Sequence, residues 1–201
     1  MLKKICIVII GICLAMASSL CAYRYYNYGT FFAKKITIDR NNWKTVLINN
    51  EYYLDKEYKP KCVKLANGVK VSKRIYPHLQ SMFDDARKQG ISITVGSGYR
   101  SWEEQNELWE EEMNRLDEKG VSLHDAVNRG ELVVQRPGMS EHQTGLAVDI
   151  NSMQSDASIL YKWLKDNSYK YGFILRFPKE KKKITGIIYE PWHFRYVGKE
   201  A

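Results

Sequence analysis

The chain has 201 residues and a formal net charge of +8 at pH 7. Two of these positive charges, Lys3 and Lys4, lie in the first 22 residues, so the remainder is still basic. A basic balance alone is a weak indication of nucleic-acid binding, and no nucleic-acid-binding motif accompanies it. We therefore expect no nucleic acid among the partners. Cys62 is the single cysteine after residue 22, which excludes a disulfide framework in that part of the chain.

Residues 1–22 have the pattern of a membrane-targeting segment. After Lys3 and Lys4, residues 5–22 contain no charge and are long enough for a membrane span or for the apolar part of a signal peptide. Residues 15–17 (AMA) offer a small-x-small cleavage site. A single-pass signal-anchor is the favoured interpretation, and a secreted form after cleavage stays open. Residues 23–42 are expected to form a tether with basic residues and a belt of aromatic residues, namely Tyr23, Tyr25, Tyr26, Tyr28, Phe31 and Phe32.

The next part of the chain predicts one helix, one strand and a second helix. Residues 43–50 are typical of a first strand or extended arm, and the polar stretch to residue 67 is typical of a loop. Apolar residues recur at three-to-four spacing over residues 73–89, which predicts a helix ended by Gly90. The β-branched stretch 91–95 predicts a strand. It leads to Arg100, and Ser101 with Glu104 forms a capping-box pattern for a helix to about residue 118.

The C-terminal half predicts further helices over residues 122–128 and 157–166. Between them, residues 145–150 alternate small or polar with apolar side chains, as in a half-buried strand. Strands over 172–176 and 184–190 are expected to form a hairpin whose solvated tip is the lysine-rich run 179–183. Because helices and strands intermix without a regular βαβ order, the predicted class is α+β, with helices packed on a small, mainly antiparallel sheet.

Two stretches, 140–150 (SEHQTGLAVDI) and 189–198 (YEPWHFRYVG), together supply two histidines, an aspartate and a glutamate. Catalytic zinc is usually held by three such ligands with a fourth position open, whereas structural zinc closes its shell, mostly with cysteines. His142, Asp149 and His193 are therefore candidate ligands. Glu190 and His193 would point to opposite faces of a regular strand, but Pro191 predicts a break between them.

The same residues follow the pattern S-x-H-x-x-G-x-A-x-D, then E-P-W-H, with G-Y-R-S upstream at residues 98–101. In this the chain resembles the VanY-type D-alanyl-D-alanine carboxypeptidases, zinc peptidases of family M15, subfamily B, that trim the stem peptides of bacterial cell walls. The resemblance covers about residues 43–201. It implies a Hedgehog/D,D-peptidase-like fold and one zinc ion per chain, held by His142, Asp149 and His193.

The resemblance also implies catalytic roles. Glu190 falls on the general base of the family, and Arg100 falls on the arginine that polarises the substrate carbonyl. A carboxypeptidase must in addition hold the free carboxylate of its substrate. Weaker candidates for substrate contacts are Ser140, Gln105, Tyr99 and Trp192, the last as a wall of the pocket.

Other catalytic arrangements find no support in the sequence. No serine has a lysine three residues later, and neither a G-x-S-x-G elbow nor an H-E-x-x-H pair is present. The implied function is removal of the terminal D-Ala from peptidoglycan stem peptides at the outer face of the bacterial membrane. An L,D-carboxypeptidase or a wall endopeptidase stays open, because related sites serve all of these by changing the substrate pocket. A non-catalytic, zinc-containing wall-binding module also stays open, although it would need neither Glu190 nor Arg100.

Overall fold

The computed structural model describes residues 2–28, 33–153 and 157–200. The first helix, α1, covers Leu2–Tyr28. Within the described ranges, no helix has the combination of length and apolarity that crossing a membrane requires. Phe31 and Phe32, which belong to the predicted aromatic belt, lie outside the described residues.

Two pairs of short strands open the folded domain. Strand β1 (Lys34–Ile36) pairs in parallel with β2 (Tyr52–Leu54), and β3 (Cys62–Lys64) pairs antiparallel with β4 (Lys70–Ser72). The segment assigned to a tether therefore contributes a strand, and the predicted loop contains β2 and β3. Strands of three residues are too short to give a readable period. What holds β1 in place is a small apolar cluster in which Ile36 packs near Leu54.

The central sheet has four strands, β5 (Thr94–Ser97), β6 (Ala147–Asn151), β7 (Phe173–Leu175) and β8 (His193–Tyr196). Their spatial order is β5-β6-β8-β7, and every neighbouring pair is antiparallel. The main core lies on one face of this sheet, where Val148, Ile150 and Phe194 are buried. Asp149 alternates with those residues along β6 and faces the other way, as the sequence predicts. The predicted α+β class is confirmed.

The predicted helices form close to their expected positions. They are α2 (Tyr76–Lys88), α3 (Trp102–Asp117), α4 (Leu123–Gly130) and α5 (Ser158–Asn167). At the start of α3 the capping box is complete. Ser101 Oγ accepts from the Glu104 backbone N–H at 3.1 Å, and the Glu104 carboxylate accepts from the Ser101 N–H at 2.7 Å. This cap fixes the chain direction immediately after Arg100.

The predicted C-terminal hairpin is wrong in its second strand. Residues 184–190 contain no strand. Lys179–Lys181 forms a 3-10 turn, and α6 covers Lys182–Thr185 and ends at Gly186, whose φ is +76°. Ile184 is 79% exposed. Strand β7 pairs instead with β8, whose four residues are all buried, so the strand that carries His193 takes the place of the expected partner.

Candidate metal centre

Asp149 and His193 are brought together by strand register. They are direct partners across the antiparallel pair of β6 and β8. Side chains of directly opposed residues share one face of a sheet and approach closely. The Asp149 Oδ1 atom lies 3.1 Å from His193 Nδ1. Two of the three predicted ligands therefore meet because two short strands pair in this register.

His142 reaches the same point from a 3-10 helix that covers Glu141–Thr144. Ser140 caps this helix by accepting from the His142 backbone N–H at 3.3 Å. The His142 Nδ1 atom is 2.7 Å from the Gly98 carbonyl oxygen. A carbonyl can only accept, so Nδ1 carries the proton and the lone pair of Nε2 is left free. Nε2 lies 3.4 Å from Asp149 Oδ2, on the side where a metal would bind.

The three side chains fit a zinc ion. One donor atom from each of His142, Asp149 and His193 lies within 4.8 Å of the others. The Asp149 Oδ1 atom is buried and, in the described part of the chain, has no hydrogen-bond partner. Burial lowers the pKa of His193, but Asp149 and Glu141 raise it to about 9, so this cluster attracts positive charge. Two imidazoles and one carboxylate are typical zinc donors and leave a fourth position open.

Glu190 lies beside the cluster in a tight turn. The His193 backbone N–H donates to the Glu190 carbonyl at 3.2 Å, so the chain turns at Pro191 instead of continuing as a strand. The turn places both side chains on one side, and Glu190 Oε2 is 3.6 Å from His193 Nδ1. Burial, followed by Asp149, raises the pKa of Glu190 to about 7, although His193 and Arg100 lower it. A carboxyl with such a pKa can accept and return a proton near neutral pH.

Arg100 faces the cluster from the loop after β5. Its backbone N–H donates to the His142 carbonyl at 3.2 Å. Its side chain donates to Gln105 Oε1 at 2.8 Å and to Ser97 Oγ at 3.3 Å, and Nη2 lies 3.8 Å from Asp149 Oδ2. These contacts hold the guanidinium in place with 22% of the side chain exposed.

A cavity of about 360 Å³ contains this group of side chains. Ser140 and Trp192 line it together with the ligands, Glu190 and Arg100. Tyr99 and Gln105 do not line it. Gln105 is buried and donates to the Gln135 carbonyl while it accepts from Arg100, so its observed contact with the site is through that arginine. Direct substrate contacts by Ser140, Trp192, Tyr99 and Gln105 remain a prediction.

Sequence reasoning missed three charged residues behind the cluster. Glu141 is buried between Arg176 and Arg195 and faces His193. Burial raises the pKa of Glu141, but Arg195, His193 and Arg176 lower it more, to below its ordinary value. The sequence did contain a signal for Arg195. It is two residues after His193, and residues two apart in a strand share one face of the sheet.

Comparison of the chain with known proteins identifies its family. The family model described as "VanY: D-alanyl-D-alanine carboxypeptidase" matches residues 68–199. The chain belongs to the VanY family. A D-alanyl-D-alanine carboxypeptidase of Enterococcus faecalis is 43% identical over 165 residues, which are 81% of this chain and 62% of that protein. This VanY-family chain thus spans less than two thirds of the length of that relative.

Solved structures of two kinds resemble this VanY-family chain. One is a variant of the vancomycin resistance D,D-pentapeptidase VanY from a VanB-type cassette in complex with Zn(II). It has 43% identity and a TM-score of 0.73 over 79% of this chain and 90% of that one. The other is the LD-carboxypeptidase LdcB, with 36% identity and a TM-score of 0.69 over 85% of this chain and 83% of that one. The predicted family resemblance is confirmed.

Proposed function

We propose that the protein is a zinc-dependent D-alanyl-D-alanine carboxypeptidase that removes the C-terminal D-Ala from peptidoglycan stem peptides. The observation that carries this proposal is one buried cluster with two different parts. His142, Asp149 and His193 offer three zinc ligands, and the Glu190 carboxylate lies 3.6 Å from His193 Nδ1. A purely structural zinc site needs no such carboxylate, whereas peptide hydrolysis needs a base at that position.

The chemistry divides between the cofactor and the protein. A bound zinc ion would polarise a water molecule and the scissile carbonyl. Glu190 would take the proton from the attacking water and pass it to the leaving amine of the terminal D-Ala. Its turn position and its raised pKa suit both transfers.

Arg100 would stabilise the negative charge that develops on the carbonyl oxygen. Its guanidinium is always charged and is fixed in advance by Gln105 and Ser97. A preorganised cation costs little reorganisation when the charge appears, which is the usual source of large electrostatic stabilisation in enzymes.

The D,D preference is supported by the higher identity to the D,D-pentapeptidase, 43% against 36% for the LD-carboxypeptidase. The test is to incubate the purified full chain and zinc with synthetic tri-, tetra- and pentapeptide stems and follow the products by mass spectrometry. Loss of one D-Ala from the pentapeptide is expected, and Glu190→Ala should abolish it. Cleavage of the tetrapeptide alone would replace the proposal with an L,D-carboxypeptidase. Zinc binding without any cleavage would favour a wall-binding module.

We further propose that the catalytic domain works outside the bacterial membrane, attached or delivered by residues 1–22. Support comes from the uncharged run 5–22 after Lys3 and Lys4 and from the wall location of the proposed substrate. Protease added to intact cells should digest the domain, and a protected domain would contradict this location. The mass of the mature protein then distinguishes an anchor that is retained from a signal peptide cleaved near residue 17.

A further inference from the structure

We infer that Glu141 is a positioning residue that orients His193, so that Nδ1 of this histidine faces the metal and Nε2 carries the proton. Arg176 and Arg195 hold the Glu141 carboxylate in place for this purpose. The inference deepens the proposed zinc function and rests on it.

Glu141 and His193 present two buried atoms to each other. Glu141 Oε2 lies 3.7 Å from His193 Nε2, and within the described ranges neither atom has a hydrogen-bond partner. An unpaired buried donor or acceptor is costly, so two such atoms facing each other indicate a functional pair. The opposite ring atom, Nδ1, lies 3.1 Å from Asp149 Oδ1, on the metal side. The ring is thus placed between the ligand cluster and one carboxylate.

The other oxygen of Glu141 is fully engaged. Oε1 accepts from Arg176 Nε at 2.9 Å and lies 3.1 Å from Arg195 Nη1. Both arginines therefore hold the same oxygen and leave Oε2 directed at His193. The carboxylate cannot rotate without losing two charged contacts.

Arg195 is itself anchored to the backbone. It is 2% exposed, and its Nη2 donates to the carbonyls of Val46 at 3.0 Å and Lys44 at 3.3 Å. Its Nε donates to the Tyr196 carbonyl at 3.1 Å. A fixed chain of contacts thus runs from residues 44–46 through Arg195 and Glu141 to the metal ligand.

The Glu141 carboxylate determines which tautomer of His193 is favoured. A carboxylate only accepts, so it favours a proton on Nε2 and leaves the Nδ1 lone pair for the metal. Metal-bound histidines commonly have such a partner behind the ring, and removing one typically weakens metal binding roughly 10- to 100-fold. In Glu141→Gln the oxygen would stay with the arginines and the amide N–H groups would face Nε2, which favours the wrong tautomer.

The competing explanation is that Glu141 only neutralises the buried Arg195 and the half-buried Arg176. Breaking a buried ion pair destabilises a protein whether or not a metal ligand is near. Glu131→Gln is a matched control, because Glu131 Oε1 accepts from Arg136 Nε at 2.6 Å and Arg136 is fully buried. Glu131 is not among the residues that line the cavity.

The experiment measures zinc affinity by chelator competition for the full chain, Glu141→Gln and Glu131→Gln. Imidazole nitrogen NMR of the zinc-loaded protein reports which His193 nitrogen carries the proton. We expect the wild type to bind zinc with the proton on Nε2, Glu141→Gln to bind roughly 10- to 100-fold more weakly, and Glu131→Gln to bind as the wild type does.

Each outcome decides between the proposals. A folded Glu141→Gln variant with unchanged zinc affinity would overturn the role of Glu141 and leave the zinc function intact. If that variant does not fold, the wild-type NMR spectrum decides, because a proton on Nδ1 would overturn the inference without any variant. A wild type that binds no zinc would overturn both this inference and the proposed function.

Discussion

The turn at Pro191 determines the environment of Glu190 and with it the pKa of its carboxyl group. An exposed glutamate would be ionised at neutral pH, but here 12% of the side chain is exposed and the pKa is raised to about 7. The residue owes this environment to the turn at Pro191, which brings it back beside His193.

The pH dependence of activity follows from this pKa. A base works only when deprotonated, so kcat/KM should rise with pH through the pKa of Glu190 and level off above it. A zinc ion bound next to the carboxylate would lower that pKa, so the acidic limb of the zinc-loaded enzyme should lie at or below pH 7. Initial rates between about pH 5 and 8 under zinc saturation test this. A kcat/KM that increases as the pH falls would contradict the role of Glu190 as a base.

Arg100→Lys should separate charge from geometry. Lysine keeps the charge but cannot reproduce the forked contacts to Gln105 and Ser97. We expect kcat to fall by about 10² to 10³ while zinc affinity stays as in the wild type. Arg87→Lys, at an exposed helix pair with Asp84, is the matched control and should change nothing. A kcat within twofold of the wild type in Arg100→Lys would rule out oxyanion stabilisation by this side chain.

At the residue scale, the sequence could predict that the three candidate ligands, Glu190 and Arg100 lie together, because each occupies a motif position. It could not predict Glu141 as a partner of His193. That contact depends on a 3-10 helix meeting β8 across the site, and no local pattern contains this information.

At the scale of elements, the loop after β5 carries residues that contact the site on one side and packs against β4 on the other. The Gly98 carbonyl accepts from His142, and Arg100 follows two residues later. A Cβ at Gly98 would overlap the Lys70 carbonyl oxygen of the neighbouring hairpin. The loop can therefore lie this close to β4 only with glycine at this position.

Gly98→Ala should displace the loop and weaken zinc binding. Overpacking of this kind costs about 1–3 kcal/mol, and here it also moves the acceptor that fixes the His142 tautomer. Gly120→Ala is the control, because its φ of +70° strains an alanine in open space, and Gly120 is not among the residues that line the cavity. Thermal unfolding and zinc titration of both variants give the test. Wild-type zinc affinity in Gly98→Ala would contradict the close packing.

Elements were predictable where a local signal existed. The capping box located the start of α3, and three-to-four spacing located α2 and α5. The failures were strands of three or four residues, which are too short to give a readable period whether the partner is near in sequence, as β4 is to β3, or distant, as β6 is to β8. Strand β7 pairs with β8 and not with the adjacent residues 184–190, because the buried alternation of β8 gives it a better core face than the exposed Ile184 region.

At the scale of the whole molecule, the metal should couple sheet and loops. The candidate ligands come from β6, β8 and a 3-10 helix, so a bound zinc ion would join three segments that are separate in sequence. A ligand that binds only the folded state stabilises it by about 2.7 kcal/mol when its free concentration is 100 times Kd.

Removal of zinc by a chelator should therefore lower Tm by several degrees, and added zinc should restore it. Asp149→Asn should lose this zinc-dependent part of the stability. Differential scanning calorimetry with and without chelator measures the shift. An identical Tm in both conditions would show that zinc does not bind the folded protein at these residues.

Fold class was predictable at this scale, since it needs only the mixture of elements and not their pairing. Strand order was not, because it depends on long-range contacts such as the one between Asp149 and His193.

The most direct measurement is D-Ala release from a synthetic pentapeptide stem by chelated full chain titrated with zinc. The rate should rise from near zero and reach its maximum at one zinc per chain, and Glu190→Gln should remain inactive at every zinc concentration. D-Ala release that persists after chelation, or that Glu190→Gln retains, would contradict hydrolysis by a zinc ion on His142, Asp149 and His193 with Glu190 as the base.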